Sequence, residues 1–253
     1  MLSTVLLIAS VAVFITAAVL TFKNKISFFK GICISVFGFV ASFIASVASV
    51  KAQTGVSPID TAINTVFDTV KEVFTTDTAL LNLLKAAGGG DDLTTGIAAV
   101  IETLRQLYIV LFPAIVIVSY AFLCFLAFML IKSVRRLMKK DVSFIPVFNQ
   151  LRLGKPAAAA FALSLACGFL FSGSVFGNAF LNVQLIISSY IMLCGASLLD
   201  FWLSLRIRYG FVRLLLYAGA VFAGGGFAGI ILEIASFAAL LDVFFDFRKR
   251  YYA

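Results

Sequence analysis

The sequence predicts an all-α, polytopic membrane bundle of about seven spans, on three observations. The 253 residues are 62% hydrophobic and 13% charged, whereas soluble domains are nearer half apolar and about a quarter charged. Apolar stretches of membrane-crossing length alternate with mostly short connectors. Every second connector gathers basic residues: Lys23, Lys25 and Lys30; Lys132, Arg135, Arg136, Lys139, Lys140, Arg152 and Lys155; Arg206, Arg208 and Arg213; and Arg248, Lys249 and Arg250. Lys and Arg resist translocation, so the alternation predicts an outside N-terminus, a cytoplasmic C-terminus and a multi-pass place in the cell membrane.

The first span covers residues 2–22. Its basic residues follow the apolar core, the reverse of a secretory signal, so it is expected to be retained. The second covers about 32–50 and carries Gly38, Ser42 and Ser46 on one stripe, where small side chains let helices approach closely. These two helices make up residues 1–50.

Residues 51–106 form the long outer connector, with seven acids against four bases. Ile59, Ile63, Val66, Phe67, Val70, Val73 and Phe74 recur at helical spacing among charges, which predicts an amphipathic helix starting near Ser57-Pro58. Its apolar face is expected on the membrane surface or over the bundle. Gly88, Gly89 and Gly90 before Asp91 and Asp92 predict a turn, without the ligand spacing of an EF-hand.

Residues 107–253 form a five-helix membrane domain. The third span, about 107–131, contains Pro113. The connector after it holds seven bases and one acid, Asp141, with an apolar cluster of Phe144, Ile145, Val147, Phe148 and Leu151 expected in the inner interface. The fourth span covers about 156–171 and the fifth about 179–199, with Asp200 near Arg206 and Arg208 at its inner end. Trp202 and Tyr209 fit the interfacial aromatic belt. Residues 211–222 make a short sixth span. Gly224, Gly225 and Gly226 turn the chain into a seventh, 227–245, and this hairpin keeps both flanking basic clusters inside.

Glu233 is the one acid well inside a span. A carboxylate at that depth marks a cavity or an interhelical contact. With Asn178, Asn182 and Gln184 it forms an outer polar set, and Tyr190 and Tyr217, with Tyr120, supply hydroxyls from three different helices. These residues are the candidate ligand site. Gly225 and Gly229 form a GxxxG pair suited to helix packing. Asp242 and Asp246 lie near enough to Arg213, Arg248 or Lys249 for interfacial ion pairs.

The chain has no His and only four cysteines, Cys33, Cys124, Cys167 and Cys194, each in a separate apolar stretch. His-based triads and metal chemistry are excluded, and no metal, cofactor or disulfide framework is expected. No nucleotide-binding glycine loop or nucleophile elbow is present, so an enzyme is not expected. The net charge of +8 answers to topology and anionic headgroups, with no soluble basic domain to bind nucleic acid.

From Leu107 onward the chain resembles the YybS-like family of multispanning membrane proteins, found mainly in Gram-positive bacteria and without an assigned activity. The resemblance rests on LYIVLFPAIVIVSY, the basic connector, FIPVFNQLRLGKP, Asn178 in the next turn, CGASLLDFWL and the closing LLDVFFDFRKR. In that last piece Asp242, Asp246, Phe247 and Arg248 match the family's terminal pattern. The N-terminal half differs, with two spans and a long connector where the family has more apolar helices.

The family's helix arrangement has been likened to the substrate-binding subunits of energy-coupling-factor vitamin transporters. The resemblance therefore implies a solute-binding membrane subunit without an ATPase of its own. The alternative is a non-transporting scaffold or regulator that holds other membrane proteins. The expected partners are the bilayer, a small solute under the first reading, and other membrane subunits under either.

Overall fold

The computed structural model describes residues 2–76, 93–207, 209–223 and 225–249. Among these, every regular element is helical: α1 (Leu2–Phe22), α2 (Phe28–Thr54), α3 (Pro58–Thr76), α4 (Leu93–Leu137), a 3-10 turn (Phe148–Gln150), α5 (Lys155–Leu170), α6 (Val175–Arg206), α7 (Gly210–Ala223) and α8 (Gly225–Phe245). The chain divides into two compact units, Met1–Phe125 and Leu126–Ala253.

In the first unit, α1 and α2 form a hairpin. Its turn uses Asn24 at φ 56°, a left-handed conformation that Asn tolerates better than most side chains. Ser27 Oγ then accepts from the Lys30 amide at 3.4 Å and caps α2. Small residues line the contact: Ser10, Ala17, Ala18 and Thr21 on α1, and Gly31, Ser35 and Gly38 on α2 are buried. A Cβ at Gly38 would lie 2.9 Å from Val13 Cγ1. Ser42 and Ser46, further along the stripe, are half-buried.

Gly55, at φ 73°, ends α2, and Ser57 Oγ accepts from the Asp60 amide to start α3. On α3, Ile63 is buried and the Phe67 ring lies 5.8 Å from Tyr108 of α4. Asp68 also pairs with Arg105 of α4 at 3.3 Å. The apolar face of α3 is thus split: Ile63 and Phe67 turn to protein, while Val66, Val70 and Val73 stay exposed.

The third expected span is much longer than its apolar core. α4 runs unbroken for 45 residues through Pro113, about 68 Å against a hydrocarbon core of about 30 Å. Residues 93–106 are helical rather than part of an open connector, because Ala98, Ala99, Glu102 and Leu104 are strong helix formers that extend the register. The glycine-aspartate turn at 88–92 lies outside the described residues. Aromatic pairs join α4 to α2: Tyr120 stacks on Phe39 at 5.4 Å, and Phe112 lies 6.3 Å from Phe43. Tyr120 is therefore packed on a ring.

In the second unit, α5 and α6 are joined by a turn with Gly173 at φ 78°. Ser174 Oγ caps α6 by accepting from the Gly177 amide at 3.1 Å. α6 crosses α8 at Gly195, where a Cβ would lie 2.7 Å from the Ser236 amide nitrogen. Leu153, Ile191, Cys194 and Ala239 form the core beside this crossing. α7, at 14 residues, reaches only about 21 Å. By contrast, a Cβ at Gly229 would meet nothing within 4 Å among the described residues; Gly224 lies outside them.

Among the described residues, four helices are long and apolar enough to cross a membrane: Ser3–Phe22, Phe28–Thr54, Thr94–Leu137 and Val175–Arg206. Lys155–Leu170 and Gly210–Gly219 are apolar but shorter.

Candidate functional site

The polar chemistry of the second unit concentrates where α6 and α8 end, around the irregular segment between α4 and α5. That segment leaves α4 through Lys139 at φ 56°. It then turns at Asp141, whose Oδ1 accepts from the Ser143 amide at 2.9 Å. Hydrogen bonds from the Ser143 backbone and side chain hold the Asp141 carboxyl below the usual carboxylate range. Ile145, Leu151 and Leu153 are buried, while Val147 is exposed. Of the apolar cluster expected in the inner interface, Ile145 and Leu151 are buried, Phe144 and Phe148 half-buried and Val147 exposed.

A buried, irregular segment must find partners for its carbonyls. Lys132 Nζ donates to the carbonyls of Ile145 and Pro146 at 3.0 and 2.9 Å. Ser197 Oγ donates to the Leu151 carbonyl at 2.9 Å. Tyr190 donates its hydroxyl to the Arg152 carbonyl at 3.2 Å. Arg248 supplies the rest: its Nη1 donates to the carbonyls of Asn149 and Leu151 at 2.8 and 2.9 Å, and to Ser197 Oγ at 3.2 Å.

The Arg248 guanidinium is almost fully enclosed, at 2% relative exposure. Asp242, six residues back on α8, balances it with Oδ2 at 3.3 Å from Nε, and the guanidinium carbon lies 5.8 Å from the centre of the Phe201 ring. An enclosed guanidinium is tolerated only with a counter-charge and several acceptors, and both are present here. Beside it Asp246 pairs with Arg152 and, at 3.3 Å, with Lys249. Desolvation pushes the Asp246 carboxyl up, but the hydrogen bonds from Lys249 and Arg152 outweigh it and leave the carboxyl below its usual range.

A further ion pair joins the end of α6 to α7. Asp200 Oδ1 sits 3.4 Å from Arg213 Nε and accepts from the Tyr217 hydroxyl at 3.3 Å. The expected neighbour Arg206 is exposed, and Arg208 lies outside the described residues. Arg213 reaches Asp200 because α7 folds back along α6.

The candidate ligand residues fall in different places. Tyr190 and Tyr217 spend their hydroxyls on Arg152 and Asp200. Asn178 is exposed at the start of α6, where its carbonyl accepts from the Asn182 side chain at 2.9 Å. Asn178 is 22 residues from Asp200 on the same helix, about 33 Å of rise. Gln184 is half-buried beside Gly168 of α5. Glu233 is exposed on α8, between the exposed Ile230 and Ile234.

Arg248 as the centre of a carbonyl-binding cluster was not visible in the sequence, where it counted as a topology signal and a partner for Asp242 or Asp246. The run Cys194-Gly195-Ala196-Ser197 was the available hint, since small residues there let both α8 and the loop approach. Among the described residues no three His, Cys, Asp or Glu side chains gather as a metal site. The four cysteines are free thiols.

Residues 1–231 match the family described as "Predicted membrane protein (DUF2232)". The match takes in the N-terminal half, where the sequence resemblance departs, and stops before LLDVFFDFRKR. No curated protein and no solved structure matches the chain.

Proposed function

We propose that this chain, which belongs to the DUF2232 family of predicted membrane proteins, is a non-catalytic, multi-pass subunit that docks other membrane proteins against its clamped α4–α5 loop. The observation that carries this reading is the loop's restraint. Side chains from α4, α6 and the segment after α8 take up the carbonyls of Ile145, Pro146, Asn149, Leu151 and Arg152. A loop fixed in this way holds its exposed residues in one arrangement, and preorganisation lowers the entropy lost on docking. Val147, Leu137 and Met138 are exposed beside Arg136, Lys139 and Lys140, a mixed apolar and basic surface. In the seven-span arrangement with the C-terminus inside, that surface faces the cytoplasm. The bilayer of the cell membrane surrounds the spans.

The solute-binding transporter subunit is the second reading. It rests on Glu233, Asn178, Asn182, Gln184, Tyr190 and Tyr217, which lie along α6, α7 and α8. The likeness to energy-coupling-factor subunits belongs to this reading alone.

The test uses a photo-reactive residue placed at Val147 or Met138 of the full chain in its native membrane. One reproducible membrane-protein adduct, weakened by Arg248→Gln, is the expected result. Selective thermal stabilisation by a single vitamin, amino acid or nucleobase, lost in Glu233→Gln, would overturn the docking reading in favour of the carrier.

A further inference from the structure

We propose that the cleft beside the Arg248 clamp is a binding site for a phosphate-class anion, either a phospholipid headgroup or a free phosphate ester. The cleft has a volume of about 250 Å³ and is lined by Asn149, Gln150, Arg152, Phe201 and Arg248. A water occupies about 30 Å³ and organic ligand sites roughly 300–1,000 Å³, so the volume suits a small polar group.

The lining is chemically one-sided. Its residues are two arginines, an asparagine, a glutamine and a phenylalanine, with no acid among them. The balancing carboxylates, Asp242 and Asp246, approach the guanidiniums from outside that lining. Arg152 gives Nη1 to Asp246, and a guanidinium carries five N–H donors in a planar fork, so its other edge remains for a second anion. The side-chain amides of Asn149 and Gln150 make no hydrogen bond among the described residues, and their NH2 groups are donors of the kind an oxyanion accepts from. Arg forks match the oxygens of a tetrahedral phosphate in pairs, which a lysine cannot do.

Position favours phosphate over other oxyanions. Phe201 precedes Trp202, which is exposed near the end of α6, the depth at which interfacial aromatics lie beside headgroups. Lys155 opens α5 and Lys249 follows α8 at the same end, adding to the local positive field.

The full chain, purified in detergent, is examined in two arms. Native mass spectrometry compares retained phosphatidylglycerol with retained phosphatidylcholine. Thermal unfolding compares inorganic phosphate with chloride at equal ionic strength. Each arm is run on the natural chain, on Arg152→Gln, on the double variant Asn149→Ala with Gln150→Ala, and on Asp246→Asn. The last breaks the Arg152 ion pair but keeps the guanidinium, so it separates binding from folding. A headgroup site retains phosphatidylglycerol selectively, about tenfold less in Arg152→Gln and less in the double variant, with Asp246→Asn retaining at least as much as the natural chain. A soluble-ester site shows instead a phosphate-specific stabilisation that follows the same ranking. Equal retention of both lipids together with a phosphate effect common to all variants overturns the proposal. So does selective binding that no lining variant weakens.

Discussion

Arg248 Nη1 donates to the Leu151 carbonyl at 2.9 Å across 97 residues of chain, and its Nε sits 3.3 Å from Asp242. One side chain thereby neutralises a buried carboxylate and satisfies the backbone of a distant loop. These two tasks separate in mutagenesis.

Arg248→Gln leaves Asp242 enclosed without a counter-charge. It is expected to destabilise the second unit by about 3–5 kcal/mol, the usual effect of breaking a buried ion pair from one side. Adding Asp242→Asn removes the stranded charge and should recover part of the loss, because the two sites are in contact and do not add. Denaturant unfolding of the single and double variants in one detergent measures both. Equal stability of the single variant and the natural chain would refute the clamp.

The Arg152–Asp246 pair predicts an acid-side sensitivity. Hydrogen bonds from Lys249 and Arg152 hold the folded Asp246 carboxyl below its unfolded range. The folded state thus binds fewer protons there than the unfolded state. Its contribution is complete above the unfolded pKa and disappears as pH falls through the folded one. Unfolding of the natural chain and of Asp246→Asn, followed from neutral to acid pH, should show a gap that closes on the acid side. A gap that widens there would contradict the pairing.

Two glycines should answer oppositely to alanine. Gly195→Ala puts a methyl 2.7 Å from the Ser236 amide nitrogen, and backbone cannot yield as a side chain can. A loss of about 1–3 kcal/mol is expected. Gly229→Ala meets nothing within 4 Å among the described residues and should gain up to about 1 kcal/mol from helix propensity. Thermal unfolding of the pair side by side checks the ranking.

At Gly38 the neighbour is a side chain, Val13, which makes the contact repairable. Gly38→Ala is expected to weaken the α1–α2 hairpin, and Val13→Ala in the same chain should restore part of the stability. Crosslinking between cysteines introduced on α1 and α2 reports the hairpin directly. No rescue by Val13→Ala would place the cost of Gly38→Ala elsewhere.

The positions of the long apolar helices were legible because hydrocarbon imposes a length, and apolar runs such as 2–22 carry that length on their face. α3 was legible from the 3.6-residue spacing of Ile59, Ile63 and Phe67. The start of α4 was not. Thr94, Thr95, Glu102 and Arg105 read as connector by polarity, yet polarity does not end a helix that lies outside the apolar core. The Arg248 cluster was hidden for a different reason. Its partners are backbone carbonyls, which every residue owns, so nothing in the side chains of Asn149 or Leu151 announces them. The pairing of Asp200 with Arg213 instead of Arg206 depends on how α7 folds back, a tertiary choice with no local trace.

The length of chain between the loop and Arg248 also imposes a delay. Translation at roughly 5–20 residues per second means that the 97 residues separating Leu151 from Arg248 take about 5–20 s to emerge. During that interval α5, α6, α7 and α8 must be delivered while the carbonyls of Asn149 and Leu151 wait without their donor. Assembly of this unit is therefore completed late, and an interrupted nascent chain would expose a recognisable, unfinished loop to the cell's quality-control machinery.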